Sequence, residues 1–327
     1  MSLQDIKYCP GTLAEGFDTY SKACLNRMFG GKLVHHILPY ESPATTIATD
    51  ELFEQNRRRM SISGVQEKFS VLMEKNKLRL VNENERGTYI LKPIPTVGKN
   101  ADQMPANEHL TMQIARQVYG IETAENALIF FKDETQAYIT KRFDVKSDGS
   151  KLAQDDFASL AGRTTQTHGE HYKYLGNYLE LFHLMKAHLP AYKIEATKLI
   201  KLLVFNYLFS NGDAHLKNFS LLETPLGDYR LSPAYDLLNS RIHIMDKNFA
   251  LDEGLLPPNL AQGKMKKQFE VLADNAGINE KFFADIMTLM LSKSEKVEKM
   301  ISVSYLNETS KINYWQCYQT RLKQLMK

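Results

Sequence analysis

The chain has 327 residues, 43% of them apolar and 24% charged, with 41 basic against 38 acidic residues for a net charge of +3. That length and composition can bury a sizeable core and predict a globular protein of two lobes, 1–145 and 146–327. The near balance of charge argues against nucleic acid or a membrane surface as the principal partner. Cys9, Cys24 and Cys317 are odd in number, far apart in sequence and without CxxC spacing or clustered histidines, so reduced thiols are expected rather than a disulfide framework or a zinc site. No stretch approaches eighteen uncharged apolar residues, and the opening MSLQDIKYCPGTL lacks a basic start followed by an apolar run. A cytoplasmic protein is expected, with export by a dedicated secretion system left open.

Residues 1–55, punctuated by Cys9-Pro10-Gly11, Gly30-Gly31 and Pro39, read as an irregular or partly helical extension without a motif. Beyond them Phe69, Val71 and Met73 alternate, Lys75-Asn76-Lys77 turns, and Leu78-Arg79-Leu80-Val81 returns, the pattern of a hairpin. A third strand is predicted at Tyr89-Ile90-Leu91-Lys92, ended by Pro93 and Pro95. Leu110, Ile114 and Val118 then recur every four residues up to Gly120, an amphipathic helix with a glycine stop. Two more strands, Ala127 to Phe131 and Gln136 to Thr140, bracket Lys132-Asp133-Glu134.

After Phe143-Asp144 the pattern is mostly helical. Leu199, Leu202, Leu203, Val204 and Phe205 cover nearly all faces of a helix at about 195–209, which should be buried. One hairpin interrupts this half, Phe219 to Leu222 and Tyr229 to Leu231, joined through Pro225 and Gly227-Asp228. Toward the end Phe282, Ile286 and Leu289 form one stripe, and Trp315 and Leu322 another.

The residues that carry chemistry lie between the buried helix and that hairpin. Asn211-Gly212-Asp213-Ala214-His215-Leu216-Lys217-Asn218 is followed 18 residues later by Asp236. Phosphoryl transfer needs a carboxylate to orient the attacking hydroxyl and hard oxygen ligands for Mg²⁺, which an Asp, an Asn five residues on and a later Asp would supply. Asp213 is therefore the candidate for the hydroxyl, and Asn218 and Asp236 for the metal. The competing reading is a turn at Asn211-Gly212-Asp213 and a cap at Asn218. Lys217 could reach developing phosphate charge, or be a solvated loop lysine, and His215 is less clear.

Lys92, at the end of its strand, stands where a lysine for the α- and β-phosphates of ATP is needed, against the alternative of a surface lysine at a strand end. Glu108, near the start of the helix, could pair with it or simply favour the helix dipole. Met60 to Lys68 holds one glycine, Gly64, and no GxGxxG. Its backbone, with Val65, could still cradle phosphate, leaving Ser61 and Ser63 near the γ-phosphate as candidates for self-phosphorylation. Arg57-Arg58-Arg59 directly upstream could capture such a phosphate. The same segment also reads as a polar turn. Phe143 could contact adenine or be plain core.

These residues resemble the HipA family of bacterial serine/threonine kinases. Ser61 to Lys68 looks like its loop, Ile90 to Pro93 its lysine strand, Asn107 to Leu110 its helix and Lys141-Arg142-Phe143-Asp144 its hinge. Asn211 to Ser220 and Ser232 to Asp236 look like its catalytic and metal-binding segments. The resemblance covers about residues 60–245 and implies an α+β, bilobal protein-kinase-like fold, with a small β-rich N-terminal lobe and a larger, mainly helical C-terminal lobe. It also implies ATP and Mg²⁺ as cofactors, bound through Ser61, Ser63, Gly64, Val65, Lys92, Lys141, Phe143, His215, Lys217, Asn218 and Asp236.

Length and the Ser-Ile-Ser loop look most like the HipT branch of the three-component HipB-HipS-HipT systems. That branch implies a toxin acting on an aminoacyl-tRNA synthetase, with HipS-like and HipB-like partners and DNA reached only through the latter. Two other classes remain. One is a small-molecule phosphotransferase of the aminoglycoside or choline type, for which Asp155-Asp156 and Asp252-Glu253 could fold toward the site. The other is a kinase-shaped scaffold that holds ATP without transferring phosphate.

Overall fold

The computed structural model describes residues 6–43, 67–146, 148–245 and 247–327. The chain forms two compact units. The first comprises Met1–Gln113, Ala124–Ser150 and Met300–Lys311, and the second Ile114–Thr123, Lys151–Lys299 and Ile312–Lys327.

In the first unit β1 (Phe69–Glu74), β2 (Lys77–Leu80), β3 (Tyr89–Pro93), β4 (Asn126–Phe130) and β5 (Gln136–Lys141) form one antiparallel sheet in the order β2-β1-β3-β5-β4. The predicted strands are all present. Alternation sends Phe69, Val71, Leu78, Leu80, Tyr89, Leu91, Ala127, Ile129, Ala137 and Ile139 to one face, where they join Cys9, Tyr20, Met28, Phe29, Val34 and Leu38 in a single core.

Of residues 1–55, read from sequence as an extension without a motif, residues 6–43 are described, and they are the other half of that core. They include α1 (Lys22–Phe29), capped by the Ser21 hydroxyl and ended by Gly30 in the left-handed region. They also cover β4, the last strand of the sheet: Leu38 N–H donates to Phe130 O, Phe130 N–H to His36 O, and Leu128 N–H to Pro10 O. Cys9 and Cys24, distant in sequence, are both buried here. Cys9 Sγ accepts from the Gly11 and Ser21 N–H groups, and a Cβ at Gly11 would stand 2.1 Å from Cys24 Sγ, so this turn admits only glycine.

The helix α2 (Met104–Gln117) starts earlier than its apolar repeat suggested, which moves Glu108 out of the first turn. It follows β3, whose opposite face carries Lys92.

In the second unit α3 (Phe157–Leu160) and α4 (Thr165–His168) are single turns, followed by α5 (Leu179–His188) and the buried α6 (Tyr192–Leu208). A three-stranded sheet runs β6-β7-β8, with β6 (Gln154–Asp156) added to the predicted hairpin of β7 (Ser220–Glu223) and β8 (Tyr229–Leu231). Glu195, 4% exposed near the start of α6, accepts the Leu231 N–H at 3.0 Å and fastens the hairpin to the helix.

The rest of the chain is α7 (Met265–Asn275), α8 (Glu280–Leu291), α9 (Ser294–Ser302) and α10 (Glu308–Met326). The stripes there depart from the expected phase, although Ile286 is buried as expected. Phe283, Ile286, Met287 and Met290 are the buried residues of α8 while Phe282 is 57% exposed. On α10 the buried line is Tyr314, Tyr318, Arg321 and Leu325, with Trp315 and Leu322 at its margin.

Candidate functional site

The residues singled out from the sequence lie in both units. In the first, strand parity decides which side chains share a face. Leu91 belongs to the core face, so Lys92 emerges on the other, opposite Tyr138 in register. There its Nζ stands 2.6 Å from Glu108 Oε1, with both side chains 4% exposed, and 5.3 Å over the Tyr138 ring. A buried ammonium and carboxylate this close form a charge-assisted pair shielded from water.

Lys141 pairs in register with Tyr89 and shares the face of Ile139, the one opposite Lys92. Phe143 is half-buried just past β5, between Arg142 and Asp144, which bond at 2.9 and 2.7 Å through two nitrogens. Ser61, Ser63, Gly64, Val65 and the neighbouring arginines lie outside the described residues.

In the second unit the segment Ser210 to Phe219 follows α6 directly. All its residues are buried except Asp213, which is exposed, and Lys217, which is half-buried. The loop is pinned from several sides. Ser240 Oγ donates to Ser210 O at 2.8 Å and accepts the Gly212 N–H at 2.9 Å, and Arg321, 1% exposed, reaches Ser210 Oγ at 3.3 Å while its guanidinium lies 4.5 Å over Tyr207. Tyr178 OH donates to Ala214 O at 2.7 Å. An exposed carboxylate is thereby presented on a rigid, buried backbone.

Asn218 is 9% exposed, and its Oδ1 has no hydrogen-bond partner among the described residues. A buried amide oxygen without a donor is costly, and it is the kind of hard oxygen Mg²⁺ takes as a ligand. Asp236 sits on a segment fixed to the same loop at both ends. The preceding Tyr235 donates its hydroxyl to Lys217 O at 2.9 Å and bonds Ser220 Oγ at 2.5 Å, and Ser240 follows.

Asp236 itself has φ of +55°, a left-handed conformation that costs free energy and recurs at functional positions. The donor set of Asn218 and Asp236 fits a Mg²⁺ ion. Among the described residues no group of three or more His, Cys, Asp and Glu could hold a metal, and no helix is long and apolar enough to cross a membrane.

Lys217 Nζ is 3.9 Å from Asp156 Oδ2, an ion pair made possible by β6, which sequence patterning missed. The acids at 252–253 also have partners: Asp252 Oδ1 accepts the Gly176 N–H and Glu253 Oε2 the Asn177 amide, each at 2.7 Å. Tyr174 OH donates to Asp213 Oδ1 at 3.2 Å, a contact with no signal in the sequence.

Burial, with help from the Lys173 charge, pushes the His215 imidazole down to about 3, and burial alone pushes His109 down to about 4. Both rings are neutral in the folded protein. Between pH 6.5 and those values the unfolded chain binds protons that the folded chain does not, so stability is lost as pH falls through that window. Each group contributes up to about 1.4 kcal/mol per pH unit there. The urea midpoint is expected to fall from pH 6.5 to pH 4, less steeply in His215→Asn.

A sheet carrying a buried lysine–glutamate pair and a helical unit presenting an exposed aspartate define a mixed α/β, kinase-like fold. Solved structures share it. The HipA toxin structure with HipB and operator DNA from Shewanella oneidensis MR-1 matches with a TM-score of 0.60 at 21% identity, over 82% of this chain and 64% of that one. The proinflammatory kinase CtkA of Helicobacter pylori matches with a TM-score of 0.52 at 17% identity, over 78% of this chain and 92% of that one. The family model "HipA-like C-terminal domain" matches residues 60–298, and the chain belongs to that family.

Its relatives include a Haemophilus influenzae protein named "Putative kinase", 25% identical over 77% of this chain and 78% of its own length. Another is "Putative kinase Y4dM" of Sinorhizobium fredii, 30% identical over 70% of this chain. The chain spans 57% of the length of Y4dM and 64% of the Shewanella chain.

Proposed function

We propose that the chain is an ATP- and Mg²⁺-dependent serine/threonine protein kinase. The observation that carries the reading is the Asp213 carboxylate exposed on a loop buried elsewhere except at half-buried Lys217, five residues before an asparagine whose buried amide oxygen lacks a partner among the described residues. Asp213 accepts the proton of the acceptor hydroxyl and aims its oxygen. Lys92, aligned by Glu108, binds the α- and β-phosphates. Asn218 and Asp236 would hold Mg²⁺, which when bound neutralises charge on the phosphate oxygens. Neutral His215 contributes packing rather than charge.

Within the HipA-like family we assign the chain to the HipT branch of toxin kinases, from the resemblance of its Ser-Ile-Ser loop. The acceptor inferred from that resemblance is an aminoacyl-tRNA synthetase, with HipS-like and HipB-like proteins as partners. The complex of HipA, HipB and operator DNA supports contact with DNA through a HipB-like protein. A small-molecule phosphotransferase would need free acids for cationic substrates. Of the four acids at 155–156 and 252–253, Asp156 faces Lys217 and Asp252 and Glu253 hold Gly176 and Asn177, which leaves the alternative only the exposed Asp155.

The test is incubation with Mg²⁺ and ATP followed by peptide mapping. Phosphate on Ser61 or Ser63 is the expected result. Transfer to added small amines, with none to protein, would replace this reading by the phosphotransferase.

A further inference from the structure

An exposed carboxylate rotates freely unless something fixes its direction, and phosphoryl transfer through a loose transition state depends on direction more than on basicity. Asp213 is exposed, so burial does not set its rotamer. The neighbouring turn Tyr172–Tyr174 does supply contacts. Tyr174 OH donates to Asp213 Oδ1 at 3.2 Å, and Tyr172 OH accepts from Lys217 Nζ at 3.4 Å. One three-residue turn thus touches two chemically important side chains of the loop.

The turn is itself anchored. The Tyr174 ring stands edge-on to buried His215, with centroids 5.2 Å apart at 76°. Behind it, Tyr174 O accepts the Asp252 N–H at 2.8 Å and Gly176 O the Glu253 N–H at 3.1 Å. Arg163 donates to Leu175 O and pairs with Glu180, each at 2.7 Å. Gly176 has φ of +89°, and a Cβ there would come 2.6 Å from the Glu180 carboxylate, so the chain closes behind Tyr174 only with glycine.

We propose that Tyr174 is a positioning residue for phosphoryl transfer, holding Asp213 by Oδ1 and so fixing the direction in which its carboxylate meets the acceptor hydroxyl. The inference rests on the kinase reading above. A phenol placed there only as packing would need no hydroxyl, and one placed there as a plug would slow the enzyme rather than assist it. The three roles give different kinetics.

The experiment is steady-state ADP release from Mg²⁺ and ATP with casein as acceptor, for the parent, Tyr174→Phe, Tyr174→Leu and Asp213→Ala. Phenylalanine keeps the ring against His215 and deletes only the hydroxyl. The expected result is a kcat lowered about tenfold in Tyr174→Phe, equivalent to about 1.4 kcal/mol, with the KM for ATP and the urea midpoint unchanged. Tyr174→Leu should lose the same kcat and also unfold at lower urea. Parent-like kcat in Tyr174→Phe would overturn the proposal in favour of packing, and a raised kcat in favour of a plug. A parent with no Asp213-dependent ADP release would sink the kinase reading itself, and the positioning role with it.

Discussion

Asp213→Ala is expected to lower phosphoryl transfer by about two to four orders of magnitude, the usual contribution of a positioned general base. The loss should be confined to chemistry. Asp213 is exposed, while the loop that carries it is held through Ser210, Gly212 and Ala214 by Ser240, Arg321 and Tyr178. Surface substitutions of this kind change stability by about 0.5 kcal/mol or less, so the variant should keep the parent's urea midpoint. It should also keep its affinity for ATP, because Lys92 is untouched. A variant that lost nucleotide binding and transfer together would instead mean that the alanine had disturbed the loop.

Lys92→Met is expected to do the converse, weakening both nucleotide binding and the fold. Lys92 and Glu108 are each 4% exposed and 2.6 Å apart, and removing one member of such a pair leaves a buried charge uncompensated, at a cost of about 3–5 kcal/mol. Loss of the ammonium from over the Tyr138 ring adds to it. The double variant Lys92→Met/Glu108→Leu removes both charges and fills the space with apolar atoms. Most of the stability should return, and ATP binding should not. Urea unfolding and calorimetric titration with ATP separate the two effects. If the double variant were as unstable as the single, the pair's value would lie in shape rather than charge.

The part of the fold that was legible in the sequence is the part governed by side-chain period. Phe69 and Val71, Leu78 and Leu80, and Ala137 and Ile139 alternate because one face of the sheet is buried, and the same parity places Lys92 on the other face. Residues 6–43 hid their role because much of it is main-chain. Leu38 N–H, His36 O and Pro10 O cover β4 through backbone groups, which leave no pattern in residue type. The strand β6 was invisible for a related reason, since Gln154-Asp155-Asp156 is polar throughout and becomes a strand only by pairing with β7. On α10 the apolar stripe misled by one residue because its buried face includes Arg321, held over Tyr207 and against Ser210.

The candidate site was legible where its chemistry is local. Asp213 and Asn218 lie five apart on one loop, with Asp236 18 residues further on, and that spacing is written in the chain. The tyrosines that frame them were not. Tyr174 comes 39 residues before Asp213, in a stretch with no strong period, and Tyr235 reads as an ordinary half-buried aromatic until its bonds to Ser220 and Lys217 are seen.

The most direct test of the account is the intact mass of the parent and of Asp213→Ala, each shown unmodified at the start and able to bind ATP, after incubation with Mg²⁺ and ATP. The account predicts phosphate added to the parent and none to the variant. Equal phosphate on both would contradict the role of Asp213, and none on either would contradict a self-modifying kinase.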